Sequence, residues 1–494
     1  MDASGGQTTS YAYDAASNLT QMTLPSGNGY VETRAYDRAG RLTEVSSQKG
    51  ASVLSRFVST LDPVGNPTQI VRSGSLAQTQ TYAYDTADRL TSVCFQAGTC
   101  PGASDPFIRW AYDRVGNRLS EQRPGQTTSY SYDARDRLLA AGSTSYTYDQ
   151  NGNELSAGSR AFSYDLANRL QTTTALGTTT TYVYDGEGVR LQASTGAQAN
   201  RKTNFLWDVN GGLPQIAQER DGNNSLLRRY VYGVDRISQT AGNSTSYYLR
   251  DGLHSSANLT SSSGATQWTW SYEPFGSVRS ETKASGNQPE NPMRFIGEYL
   301  DPTGLYHLRA RQYDPVSGRF LSQDPVSSPV GLSYIATYGY ARNRPTVMVD
   351  PSGLSPLISS RIGTESALSA TTAAAEPGFT INGCAYRALA PQVDLQYGLV
   401  APNRYGRGRG RVDCSKSSRM RFFVCTQIVF SVWVDAERCA LWDARIDGDR
   451  SIVRRGPKLK TRAPCPFKVF TSRIRDEART RSHTSAALFC SSER

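Results

Sequence analysis

A chain of 494 residues has room for roughly two to four ordinary domains or one long repetitive one. Its net charge of +11 is confined to one end: residues 355–494 hold 23 Lys+Arg against 12 Asp+Glu, and the residues before them balance to zero. The start, MDASGGQTTSYAYD, lacks the basic and apolar regions of a signal peptide, and the longest apolar run, FFVCTQIVFSVWV at 422–434, is too short for a membrane span.

Read from the start, the chain repeats itself. YAYDAASNL at 11, RAYDRAGRL at 34, YAYDTADRL at 82, WAYDRVGNRL at 110, YSYDARDRL at 130, YTYDQNGNEL at 146, FSYDLANRL at 162 and YVYDGEGVRL at 182 are variants of one unit. STLDPVGNP at 59 and FLWDVNGGL at 205 are degenerate copies. The aspartates Asp14, Asp37, Asp62, Asp85, Asp113, Asp133, Asp149, Asp165, Asp185 and Asp208 follow one another at intervals of 16 to 28 residues. Alternation puts the two aromatics of Tyr-x-Tyr on one face of a strand; the Asp then opens a short turn, and Arg-Leu starts the next strand. Such a hairpin cannot bury its apolar face alone, so copies must stack into one extended sheet. Recurrence at equivalent places marks the Asp as a turn former, with a repeated sugar- or metal-binding face as the alternative.

These Tyr-Asp units resemble the YD (Rhs) repeats of bacterial Rhs proteins, Tc-toxin C subunits and teneurin-like YD shells. Downstream the likeness continues. YYLRDGLHSSANLTSSSGATQWTWSYEPFGSV at 247–278 resembles the family's approach to its core. RFIGEYLDPTGLYHLRARQYDPVSGRFLSQDP at 294–325 resembles the repeat-associated core signature, and YGYARNRPTVMVDPSGL at 338–354 its closing motif, with Arg344 in a variable slot. The resemblance implies an all-β fold of repetitive hairpins forming a spiralling shell, with a small C-terminal region whose fold is left open. The implied division is repeats over 1–246, core over 247–354, a Ser/Ala/Thr-rich linker over 355–378 and a variable basic, cysteine-containing region over 379–494. The array is shorter than is usual in the family, so a partial shell completed by another chain belongs to the expectation.

In many family members the core is an autoprotease that cuts after the Leu of DPxGL. Carried over, the catalytic residues are Arg311, Asp324 and Asp350, and the cut falls between Leu354 and Ser355. The chemistry is sound. Two neighbouring carboxylates do not both ionise easily, so one stays protonated as the acid while the other activates water. An arginine can hold one of them ionised or polarise the scissile carbonyl. The bland alternative is that both Asp-Pro pairs only turn the chain; Asp350-Pro-Ser-Gly353 has the composition of an ordinary turn, with Gly353 free to take a positive φ.

The last segment shares nothing with the repeats. YGRGRGR at 405–411 and RRGPKLKTR at 454–462 offer Arg407, Arg409, Arg411, Arg454, Arg455, Lys458 and Lys460 as phosphate contacts, against a solvated-loop reading. WDARIDGDR sets Asp443, Asp447 and Asp449 close together, as a metal-dependent nuclease needs, yet Asp447-Gly448 also makes a plain turn, the favoured reading. His483 lacks an identifiable catalytic partner. Six cysteines, Cys384, Cys414, Cys425, Cys439, Cys465 and Cys490, allow three disulfides without fixing connectivity. No C-x-x-C pair accompanies them, so no metal or cofactor site is assigned.

The leading expectation is therefore a structural β-shell that encloses a C-terminal polymorphic effector and releases it by self-cleavage, a nuclease being the most charge-compatible cargo. Its implied partners are a cognate immunity protein, nucleic acid for the tail, a further shell-forming chain, and a secretion or delivery complex. The implied location is secreted or cell-surface through a non-classical route. The alternatives are a non-enzymatic YD-repeat surface protein binding carbohydrate or cell surfaces, and an inactive truncated cassette.

Overall fold

A computed structural model describes residues 7–210, 212–284, 286–325 and 336–358, together with the backbone of short strands between 379 and 490. Two compact units divide the chain, Met1–Ala370 and Thr371–Arg494. The first is built on a 26-stranded antiparallel sheet running from Ser10–Tyr13 to Val278–Lys283, in which each strand pairs with the next. The second is described by its strands alone.

The local reason for the ribbon is the repeated turn. Asp113 is representative. Its amide donates to the Asn117 carbonyl at 2.9 Å, and its Oδ1 accepts from the amides of Val115, Gly116 and Asn117 at 3.0, 2.8 and 2.8 Å. Oδ2 accepts from Asn117 Nδ2 at 3.0 Å, so one carboxylate closes the whole turn. The third residue after each Asp lies at positive φ: Ser17, Gly40, Gly65, Asp88, Gly116, Asp136, Gly152, Asn168 and Gly188. This explains the Gly, Asn and Asp content there, because other side chains are strained in the left-handed region. Asp208 departs from the pattern: it ends the strand Lys202–Asp208 and, among the described residues, takes only the amide and side chain of Asn210. The same device recurs beyond the aspartates singled out above, with the amides of Asp221, Asp251 and Asp301 each donating to the carbonyl four residues on.

Tyr-x-Tyr has a second use. The later aromatic reaches back one unit to a backbone carbonyl: Tyr36 to Leu19, Tyr112 to Leu90, Tyr184 to Leu170 and Tyr232 to Ile216, at 2.8–2.9 Å. Arginines at the turn ends reach forward to the next turn, as Arg169 does to the Asp185 carbonyl at 2.6 Å. These bonds tie successive hairpins of the ribbon together.

The ribbon returns on itself. Asn28 Nδ2 donates to Thr260 Oγ1 at 2.8 Å and to the Ser261 carbonyl at 2.7 Å, while Arg123 and Glu273 form a two-pronged ion pair at 2.7 Å. Inside lies the core segment, with a four-stranded sheet of Tyr299–Leu300, Tyr306–Leu308, Arg311–Asp314 and Arg319–Phe320. Its centre is aromatic: Tyr313 stands 4.4 Å from Tyr340 and 5.6 Å from Phe320 between ring centroids, all fully buried. Polar anchors fasten it to the ribbon, among them Arg190–Asp301 at 2.6 Å and Tyr338 to the Gly152 carbonyl at 2.7 Å. A disulfide joins Cys94 and Cys100.

In the second unit the backbone forms a five-stranded sheet in the order Gly408–Val412, Cys465–Ile474, His483–Cys490, Ala440–Asp447, Arg450–Lys458. Two further pairs are Phe379–Ile381 with Cys384–Tyr386 and Ser418–Phe423 with Val429–Val434. No helix among the described residues is long and apolar enough to cross a membrane.

Candidate active site

The closing motif sits at the tip of a short hairpin, Met348–Val349 pairing with Leu357–Ile358. Between them DPSGL makes the repeat turn once more. The Gly353 amide points at the Asp350 carbonyl at 3.3 Å, Gly353 has φ 68°, and Asp350 Oδ1 accepts from the Leu354 amide at 3.1 Å. The difference lies at the fourth residue. In eight of the repeat turns that residue is Arg or Asn and binds the second carboxylate oxygen, as Arg41 does on Asp37 at 2.6 Å and Asn66 on Asp62 at 3.0 Å. Here it is Leu354, which has nothing to offer Asp350 Oδ2.

Arg311 takes its place. It enters from the core strand Arg311–Asp314, and its Nη2 lies 3.6 Å from Asp350 Oδ2 and 2.8 Å from Asp324 Oδ2. The same guanidinium donates through Nε to the Gly353 carbonyl and through Nη1 to the Thr337 carbonyl at 3.1 Å. It rests over the Phe320 ring at 3.7 Å, so its plane is held. Thus the three residues expected from the sequence, Arg311, Asp324 and Asp350, meet at one point, each from a different segment.

Leu354 and Ser355 meet there too. Asp350 Oδ1 lies 3.2 Å from the Ser355 nitrogen and accepts from Ser352 Oγ at 3.0 Å. Ser352 Oγ in turn accepts from the Leu354 and Ser355 amides at 3.1 and 3.3 Å. The carbonyl bound by Arg311 is that of Gly353, one residue before the expected scissile carbonyl, so Arg311 grips the turn rather than the reacting group. Ser352, Thr337 and Phe320 escape sequence reasoning; the small polar residue inside DPSGL was the one visible hint of Ser352.

Burial shapes the electrostatics. It raises the Asp350 carboxyl above its ordinary range, against the pull of Arg311. Asp324 keeps 20% of its side chain exposed, so solvent can reach this carboxylate while Asp350 stays dry. Burial also lowers the Arg311 pKa, and the two carboxylates oppose that shift. The pair therefore has what acid and base chemistry requires: one dry carboxyl biased toward its neutral form beside the Ser355 peptide nitrogen, and one wetter carboxylate paired with a guanidinium.

Of the tail residues, Arg409 and Arg411 lie on the strand Gly408–Val412, and Arg454, Arg455 and Lys458 on Arg450–Lys458. Arg407 and Lys460 lie outside the described residues. Backbone register pairs Asp443 with Arg454 and Asp447 with Arg450; Asp449 lies outside the described residues.

The fold and this site define a class of protein, and the chain belongs to it: the teneurin YD-shell family model matches residues 65–346, and the RHS repeat model matches residues 1–28. Among relatives, the tRNA3(Ser)-specific nuclease WapA of Bacillus spizizenii is 30% identical over 247 residues, 49% of this chain and 9% of that protein. The double-stranded DNA deaminase toxin A of Burkholderia cenocepacia is 28% identical over 271 residues, 50% of this chain and 17% of that protein. Among solved structures, the Photorhabdus luminescens Tc holotoxin pore superposes with a TM-score of 0.57 at 21% identity, over 71% of this chain and 19% of that one. The chain therefore spans a small fraction of the length of these relatives, and the structural likeness concerns the fold.

Proposed function

We propose that this chain is a toxin-related Rhs shell that cuts itself between Leu354 and Ser355, freeing residues 355–494 as an effector. The observation that carries the reading is the meeting of Asp324 and Asp350 on Arg311, with Asp350 Oδ1 3.2 Å from the Ser355 nitrogen. In the reaction, Asp324 takes a proton from water, whose oxygen attacks the Leu354 carbonyl carbon. As the C–N bond breaks, Asp350 passes its proton to the Ser355 nitrogen, leaving a carboxyl on Leu354 and an amine on Ser355. Arg311 keeps Asp324 ionised and fixes the turn through the Gly353 carbonyl.

In this reading residues 1–246 are the repeats, 247–354 the core, 355–378 the linker and 379–494 the effector. Relatives named as a tRNA nuclease and a DNA deaminase toxin, together with the basic tail, make nucleic acid the target class. Toxin relatives favour release outside the producing cell, and the Cys94–Cys100 disulfide suits an oxidising compartment. The Tc holotoxin likeness favours further shell or delivery chains, and a toxic tail calls for an immunity protein. The test is a denaturing gel of the freshly expressed full chain. Wild type should run as two fragments meeting at Leu354, and Asp350→Asn and Arg311→Met as one intact band. An intact wild-type band would refute self-cleavage; two fragments from Asp350→Asn would remove Asp350 from it.

A further inference from the structure

Away from the DPSGL turn, the first unit has a partly open cavity of about 690 Å³ between the early hairpins and the core segment. That is within the range of small-molecule sites. Much of its wall is apolar, with Phe57, Ile70, Tyr82, Trp270 and Phe295. Its charges are mostly spoken for. Glu44 is bound by Arg56 at 2.7 and 2.8 Å, and Glu273 by Arg123 at 2.7 Å. Asp251 Oδ1 accepts from the Leu253 and Ser255 amides at 2.9 and 2.8 Å, Arg41 pairs with Asp37 at 2.6 Å, and Arg344 donates to Asn66 at 2.9 Å.

Arg72 is the exception. It is 5% exposed, lines the cavity, and uses only Nη1, on the Trp270 carbonyl at 2.6 Å. Its Nε and Nη2 are buried without a hydrogen-bond partner among the described residues. These two donors share one edge of the guanidinium, the edge that a planar carboxylate meets with two parallel hydrogen bonds. A buried arginine with that edge free is costly unless an anion supplies the other half. The guanidinium carbon lies over the Phe57 ring, 5.1 Å from its centroid.

We propose that this cavity binds a carboxylate carried on an apolar body, the carboxylate on the Nε/Nη2 edge of Arg72 and the body against Phe57, Ile70 and Trp270. The carboxylate comes from a free small molecule. Ile358, which follows the Leu354–Ser355 bond, lines the same cavity.

The experiment is calorimetric titration of the full chain with benzoate, with inorganic phosphate as an anion of similar charge lacking the apolar body. Benzoate should bind one to one, phosphate at least tenfold more weakly, and Arg72→Met should lose at least tenfold in benzoate affinity while keeping the wild-type near-ultraviolet circular dichroism. Arg72→Lys, which keeps the charge without the fork, should also weaken binding and serves if the Met variant misfolds. Absence of benzoate binding, unchanged affinity in both Arg72 variants, or equal binding of phosphate would overturn it.

Discussion

The carboxyl groups of this protein do different jobs according to their nearest neighbours. Asp113 and Asp350 sit in the same turn, but Asn117 claims the second oxygen of the first, and Leu354 leaves that of the second to Arg311. Glu154 is a third case. It is buried beside Asp314, whose own charge is satisfied by Arg160 at 2.5 Å. Burial, reinforced by Asp314, pushes the Glu154 carboxyl up to about 8. A carboxyl raised on folding stabilises fully below its unfolded value and loses that contribution as pH rises through the folded one. Glu154 should therefore weaken the fold progressively from about pH 4.5 to pH 8. Glu154→Gln, measured by urea midpoints, should gain roughly 2–4 kcal/mol over wild type near pH 8 and nothing near pH 4. An equal gain at both pH values would contradict the assignment. The turn aspartates were legible from recurrence alone, whereas Glu154 was not, because its neighbour Asp314 is 160 positions away in all but space.

At the scale of the hairpin, the carboxylate turn is the unit of stability. Removing Asp113 unties three amides and a side chain at once, leaving Asn117 Nδ2 with Asp136 alone. Asp113→Ala should cost about 1–3 kcal/mol by urea denaturation. Asp208 sits in a related sequence yet, among the described residues, binds only Asn210, so Asp208→Ala should change stability by less than about 0.5 kcal/mol. Comparable losses at the two positions would show that the turn bonds are not what counts. The sequence marked both residues as copies of one device. Only the loop after Asp208, which is too long to close the four-residue turn before the next strand at Gln215, separates them.

At the scale of the molecule, the spiral is held by a few contacts between residues more than two hundred positions apart. Asn28 is fully buried and gives both side-chain hydrogens to Thr260 and Ser261. Asn28→Ala leaves those acceptors bare and should cost about 1–3 kcal/mol. Its signature is distributed: native-state hydrogen exchange should quicken both in strands Leu19–Thr23 to Leu42–Lys49 and in strands Ser244–Arg250 to Thr266–Tyr272. Faster exchange in the first group only would mean that the contact does not couple successive turns of the ribbon.

The amino-acid order alone determined the hairpin, its turn and its period, because strand alternation and the φ demands of a four-residue turn act within about ten neighbouring positions. It also carried the core signature, and with it the three residues that meet at the DPSGL turn. Tertiary structure decided the rest. Which Asp keeps a free oxygen, which carbonyl Arg311 grips, and which arginine is left with an open edge all depend on segments brought together across the fold, where burial changes what each charge can do.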